Sequence, residues 1–98
     1  MKKVVLIIMS IFLLHIHSFS EVKPVIATVS MINDIAQQIA GDKVAVVSLM
    51  PIGGDPHLYE PIPQDAKIIA DAGLILKNGL HLEGWLDELI DNSGTKAK

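Results

Sequence analysis

Residues 25–49 read VIATVSMINDIAQQIAGDKVAVVSL, and the fold class follows from this stretch. Val25-Ile26-Ala27-Thr28-Val29 is a continuous apolar and β-branched run, the pattern of a strand buried on both faces. Ser30 is placed to cap a helix in which Ile32, Ile35, Ala36 and Ile39 recur at i, i+3, i+4 and i+7. Gly41 stands where a left-handed helix stop is expected. Val44 to Leu49 is a second run of buried-strand character. Strand, helix, strand in about 25 residues predicts a parallel pair joined by a right-handed crossover.

Working outward, the unit repeats. A Gly- and Pro-rich loop fills Pro51 to Pro63. Pro63 then opens a second helix as an N1 proline, with Asp65 in its first turn, Ile68, Ile69 and Ala72 as its apolar face, and Gly73 as its end. Leu74-Ile75-Leu76 is a third short strand and Asn78-Gly79 a turn. Leu82, Trp85, Leu86, Leu89 and Ile90 repeat with helical spacing, which predicts an amphipathic helix with Trp85 in the core. Asn92 to Lys98 is polar and aperiodic. The fold class is therefore α/β, in the order β-α-β-α-β-α, with a parallel sheet.

The other end of the chain carries an address. Lys2 and Lys3 precede an apolar run from Val4 to Leu14 broken only by Ser10, followed by a more polar stretch with Ser18 and Ser20 at the -3 and -1 positions. This is the layout of a secretory signal peptide over residues 1–20, cleaved after Ser20. The apolar run is short for a permanent membrane span, which needs about 20 residues. Residues 21–98 are then the mature part. His15 and His17 would leave with the signal.

Removal of residues 1–20 leaves six lysines and no arginine against eleven acids, a net charge of -5. That surface argues against nucleic acid as a partner, because phosphate neutralisation needs clustered Lys and Arg. The sequence has no cysteine, which excludes a disulfide framework in an exported chain and implies a mature protein without a thioether-linked lipid, free in a periplasm. Seventy-eight residues with a three-stranded sheet would bury a thin core. The expectation is an incomplete N-terminal lobe that lacks neighbouring elements.

Ligands of open α/β sheets bind outside the carboxyl ends of the strands. That rim comprises Val29-Ser30, the Pro51–Pro63 loop and Lys77–Leu82, and it carries His57 and His81. Gly53 and Gly54 give the long loop its conformational freedom, while Pro56 and Pro61 stiffen it on either side of His57. A stiffened loop presenting an imidazole suits a transition-metal ligand, with Asp55 or Glu60 able to orient the ring. His81, just before a helix, reads as a solvated loop residue. Gly53-Gly54 lacks the spacing and the Lys-Ser/Thr pair of a phosphate loop, and Ser30 and Ser48 lack a nucleophile-elbow context.

GGDPHLYEP at 53–61, Pro63-x-Asp65 and NGLHLEGW at 78–85 together resemble the zinc- and manganese-binding solute-binding proteins of ABC importers, a family described alongside bacterial adhesins. The resemblance implies two α/β lobes joined by a long helix, with one divalent ion held between them by histidines and a carboxylate. The motif's histidine corresponds to His57, and the family's other ligands lie beyond residue 98. It further implies a non-enzymatic role: capture of zinc or manganese and delivery to a membrane permease. Ile62 departs from the family's usual Thr or Ser at the start of the second helix. Two other functions find less support in the residues. A secreted metal-dependent hydrolase would need a second ligand cluster such as H-E-x-x-H, which the sequence lacks; a surface adhesion protein finds no sequence feature of its own.

Overall fold

The computed structural model describes residues 21–98; the expected signal peptide lies outside the described residues. The order is β1 (Val25–Ala27), α1 (Ser30–Ala40), β2 (Val46–Ser48), α2 (Pro63–Asp71), β3 (Leu74–Leu76) and α3 (Leu86–Ser93). All three strands are parallel, in the spatial order β2-β1-β3. Val25 stands opposite Val46 and Leu74, and Ala27 opposite Ser48 and Leu76. The α/β reading and the element order are those expected from the sequence.

The topology fixes where a ligand would sit. The connection leaving β1 runs through α1 to β2 on one side. The connection leaving β3 runs through α3 to the other side, where Lys98 meets the outer edge of β3: the Ile75 N–H donates to the Lys98 carbonyl at 2.8 Å. The chain thus departs in opposite directions from the adjacent carboxyl ends of β1 and β3. Such a switch point opens a crevice at the rim of an α/β sheet.

The core lies on the α2–α3 side, where Ile26, Leu49, Ile69, Ala72, Leu86 and Leu89 are buried together. The other side is thinly covered. No residue of α1 is buried; Ile32 and Ala36 are half-buried, whereas Ile35 and Ile39 of its expected apolar face are 61% and 83% exposed. Strands of three residues give α1 a seam too narrow to cover the whole stripe.

Three boundaries differ from the sequence reading, each for a local reason. Ser30 is the first residue of α1, Val29 is the N-cap, and no side chain caps the end. Gly41 does stop α1, with φ 56° and its N–H bonded to the Gln37 carbonyl. The second helix ends at Asp71 with Ala72 as an extended C-cap, so Gly73 is not its stop. Gly73 is there for close approach: its N–H donates to the Pro24 carbonyl at 2.9 Å, and a Cβ would lie 3.0 Å from the Cβ of Lys23. Finally, α3 begins at Leu86 rather than Leu82: residues 80–85 form turns, which open with Leu80 and His81 at positive φ values of 53° and 61°.

Candidate metal-capture site

Leaving β2, the chain turns at Gly53, whose φ of 78° suits a residue without a side chain. Asp55, Pro56, His57 and Leu58 form the next turn, closed by the Leu58 N–H on the Asp55 carbonyl at 3.2 Å. An acidic residue at the first position and proline at the second are the residues such a turn favours. The Asp55 carboxylate bends back over it: Oδ1 accepts the His57 backbone N–H at 2.8 Å and lies 3.2 Å from His57 Nδ1. That backbone N–H bond, aided by the His57 ring, holds the Asp55 carboxyl below its ordinary value despite slight opposing desolvation. A ring that carries its proton on Nδ1, toward Asp55, would leave the Nε2 lone pair free, the tautomer a metal ligand requires. The side chain of His57 is 65% exposed.

The turn is tied down on both sides of His57. Before it, the Pro56 carbonyl accepts the indole N–H of Trp85 at 2.8 Å. After it, the Tyr59 ring packs on the Trp85 ring with centroids 4.9 Å apart and planes at 52°. The Tyr59 hydroxyl donates to Asp65 Oδ2 at 2.7 Å. Burial, with the adjacent Asp65 carboxylate, pushes the Tyr59 phenol up to about 12. Asp65 is itself buried and accepts the Ile62 N–H at 2.8 Å. Trp85 is half-buried: it packs against the core, as its helical spacing suggested, and also works as a bracket for the loop.

At the switch point sits a second network that the sequence reading missed. Glu83 and Thr28 are buried, with 4% and 0% of their surface exposed. Thr28 Oγ1 donates to Glu83 Oε1 at 2.6 Å, and the N–H groups of Asn78 and Gly79 donate to the same carboxylate at 2.7 and 3.2 Å. Burial alone would raise the Glu83 carboxyl, but these donors outweigh it and hold the group below its ordinary value. The carboxylate thus locks the end of β1 to the loop after β3. Its only trace in the sequence is an acid a few residues beyond an Asn-Gly turn.

The loops after β2 and β3 meet over a depression of about 380 Å³ whose walls include His57, Tyr59, Glu60, His81 and Trp85. Glu60 is exposed on its rim. No group of three or more His, Cys, Asp or Glu residues is arranged to hold a metal among the described residues. The arrangement presents an oriented imidazole, not a closed coordination shell.

Residues 25–98 match the family model described as "Zinc-uptake complex component A periplasmic", ZnuA. The chain belongs to this family. Among curated ZnuA-like relatives, it is 48% identical over 73 residues to the manganese ABC transporter substrate-binding lipoprotein PsaA of Streptococcus mitis, covering 70% of this chain and 24% of that protein. The similarity to the lipoprotein scaA of Streptococcus gordonii is 46% over 76 residues, again covering 24% of the relative. Of solved structures, the Mn-bound periplasmic metal binding protein of Candidatus Liberibacter asiaticus superimposes with a TM-score of 0.69 at 43% identity, covering 79% of this chain and 30% of that one. The periplasmic zinc binding protein TroA of Treponema pallidum gives 0.71 at 36% identity, covering 79% and 28%. The chain spans about a quarter of the length of the curated relatives it matches.

Proposed function

We propose that this ZnuA-family chain serves in the capture of a divalent transition metal, zinc or manganese, outside the cytoplasm, for delivery to the membrane permease of an ABC importer. The observation that carries the reading is the His57 turn. The Asp55 carboxylate lies 3.2 Å from Nδ1, and Trp85 and Tyr59 hold the backbone on either side, so the ring is presented with little left to order on binding. Relatives of this chain are named for manganese and zinc binding and for ABC transport, which supports the reading.

In this role the metal is cargo. No covalent bond is made or broken, and the chemistry is ligand exchange between water and side chains. His57 supplies one donor. Tetrahedral zinc takes four ligands, so the capture unit draws on further donors beyond this turn. More imidazoles among them favour zinc and more carboxylates favour manganese. Asp55 remains ionised near neutral pH and orients the ring without taking the metal itself.

Uptake of radiolabelled zinc and manganese by cells lacking the gene, complemented with wild type or with His57→Ala in the otherwise intact protein, tests the reading. Restored uptake with wild type and its loss with His57→Ala are expected. Full uptake with His57→Ala would remove His57 from the ligand set and this function with it.

A further inference from the structure

We propose that residues 80–84 form a gate on the His57 depression, latched by Glu83 and able to rewind into a further helical turn at the start of α3. The gate is a property of the loop after β3. Its consequence for the cargo rests on the metal-capture reading of His57.

The segment is pinned at both ends and loosely held between them. Across the whole loop, Lys77 Nζ donates to Asp87 Oδ1 at 2.7 Å. At the far end Trp85 is tied to the Pro56 carbonyl and already has helical dihedrals, φ -74° and ψ -19°. Between these points Leu80 is 98% exposed, and His81 and Gly84 are exposed as well. Glu83 is the one buried residue of 80–84. Its carboxylate accepts the Asn78 and Gly79 N–H groups and the Thr28 hydroxyl. Little apolar packing and a single polar anchor mark a segment that opens locally before the fold does.

The latched form is strained, and a relaxed one is close at hand. Gly79, Leu80 and His81 have φ values of 82°, 53° and 61°. Glycine takes such values freely, whereas a residue with a side chain holds them only where its surroundings keep it there. The sequence offers an alternative, because Leu82, Trp85, Leu86 and Leu89 keep helical spacing although α3 begins at Leu86. The backbone is already part-way to it. The Leu86 N–H bonds to the Glu83 carbonyl at 3.0 Å, three residues back rather than the four of an α-helix. Rewinding residues 82–85 adds about one turn and takes the Glu83 carboxylate off Thr28. One form is held by a buried polar anchor, the other by helical hydrogen bonds without the strain, and such a pair makes a bistable element.

His81, Leu82 and Gly84 line the same depression of about 380 Å³ as His57. Rewinding moves that wall while Trp85, the pivot, keeps its hold on Pro56. The latch thus controls access to the imidazole without dismantling the turn that carries it. Gly79 and Gly84 flank the moving stretch, where hinge residues are expected.

Backbone NMR shifts and relaxation dispersion of the full chain, recorded without metal, test the gate apart from the cargo. Wild type is expected to show microsecond-to-millisecond exchange at 80–84, toward a minor form with helical shifts, and a quiet backbone at 57–59. Gly84→Ala fits the turn form, since the added Cβ would come no closer than 3.8 Å to the His81 carbonyl oxygen. It favours the helix and should raise the minor population about two- to fivefold. Leu80→Gly relieves the strain at an exposed site and should lower that population about tenfold. Glu83→Gln, which weakens the anchor, should raise it at least about tenfold. The amide spectrum of each variant reports whether the fold is kept, and Gly84→Ala decides alone if Glu83→Gln does not fold. Turn-form shifts unchanged in the folded variants overturn the gate. Exchange of equal size at 57–59 overturns it too, because the pivot would then move with the wall. Neither result touches His57 as a ligand, which the uptake experiment decides.

Discussion

The indole N–H of Trp85 donates to the carbonyl of Pro56 at 2.8 Å, so the residue before His57 hangs from the residue that precedes α3. The loop after β2 and the loop after β3 are thereby one mechanical unit. Trp85→Phe keeps the ring against Tyr59 and removes only the donor. It is expected to cost about 0.5–1.5 kcal/mol, the net worth of one such hydrogen bond. The larger effect should be local: amide exchange at His57 and Leu58 should accelerate more than at Ile26 or Ile69. Hydrogen exchange by NMR checks this, and uniform acceleration across the chain would show that Trp85 serves the core instead.

Glu83→Gln tests the buried node. The amide offers one acceptor oxygen where the carboxylate offered two, and it brings an NH₂ group up against existing donors. Hydrogen bonds to a charged group are worth about 1.5–3 kcal/mol, and a loss of that order is expected in urea unfolding. The pH dependence has a definite sign. The folded carboxyl is held below its ordinary 4.5, so its contribution is present above that value and is lost as the pH falls through the folded pKa. Between pH 4.5 and the acid transition, wild type should lose its advantage over Glu83→Gln. A constant difference down to pH 2 would mean that the carboxylate's charge contributes nothing.

How much of this was legible in the sequence depends on the range of the interactions. The β-α-β-α-β-α order follows from local periodicity and from Gly and Pro at the breaks, and it stands. His57 stands out in the sequence because two prolines and two glycines make its loop conspicuous. The bonds that give the loop its shape were not legible: Trp85 to Pro56 spans 29 residues and Thr28 to Glu83 spans 55. Trp85 occupies a core position of a helical repeat, and nothing local reveals that its N–H points at another loop. The turn at Asn78-Gly79 was legible, but the positive φ of Leu80 and His81 beyond it was not, because neither residue type marks a left-handed backbone.

Ile62→Thr should stabilise the protein. Ile62 is the N-cap of α2, its side chain is 57% exposed and cannot accept a hydrogen bond, and only Asp65 serves that end by accepting the Ile62 N–H. A threonine hydroxyl would accept an unpaired N–H of the first turn and complete the reciprocal pair with Asp65. The gain expected is about 0.5–2 kcal/mol, read as a higher urea midpoint with an unchanged slope. An unchanged midpoint would show that the apolar contacts of Ile62 offset the missing cap.

Tyr59 is the one tyrosine of the chain, so its ionisation can be followed by ultraviolet absorbance without interference. Burial, the hydrogen bond to Asp65 and the charge of that carboxylate all disfavour the phenolate, and the phenol is pushed up to about 12 from an ordinary 10. A folded-state pKa raised in this way contributes stability that is complete below pH 10 and disappears as the pH rises through about 12. Phenolate absorbance should therefore appear near pH 12 in native chain and near pH 10 in urea. In Asp65→Asn, which removes the charge and leaves an amide oxygen as acceptor, the native midpoint should move down toward 10. A native midpoint near 10 in wild type would show that the Tyr59–Asp65 bond, and with it the tether behind His57, is open in solution.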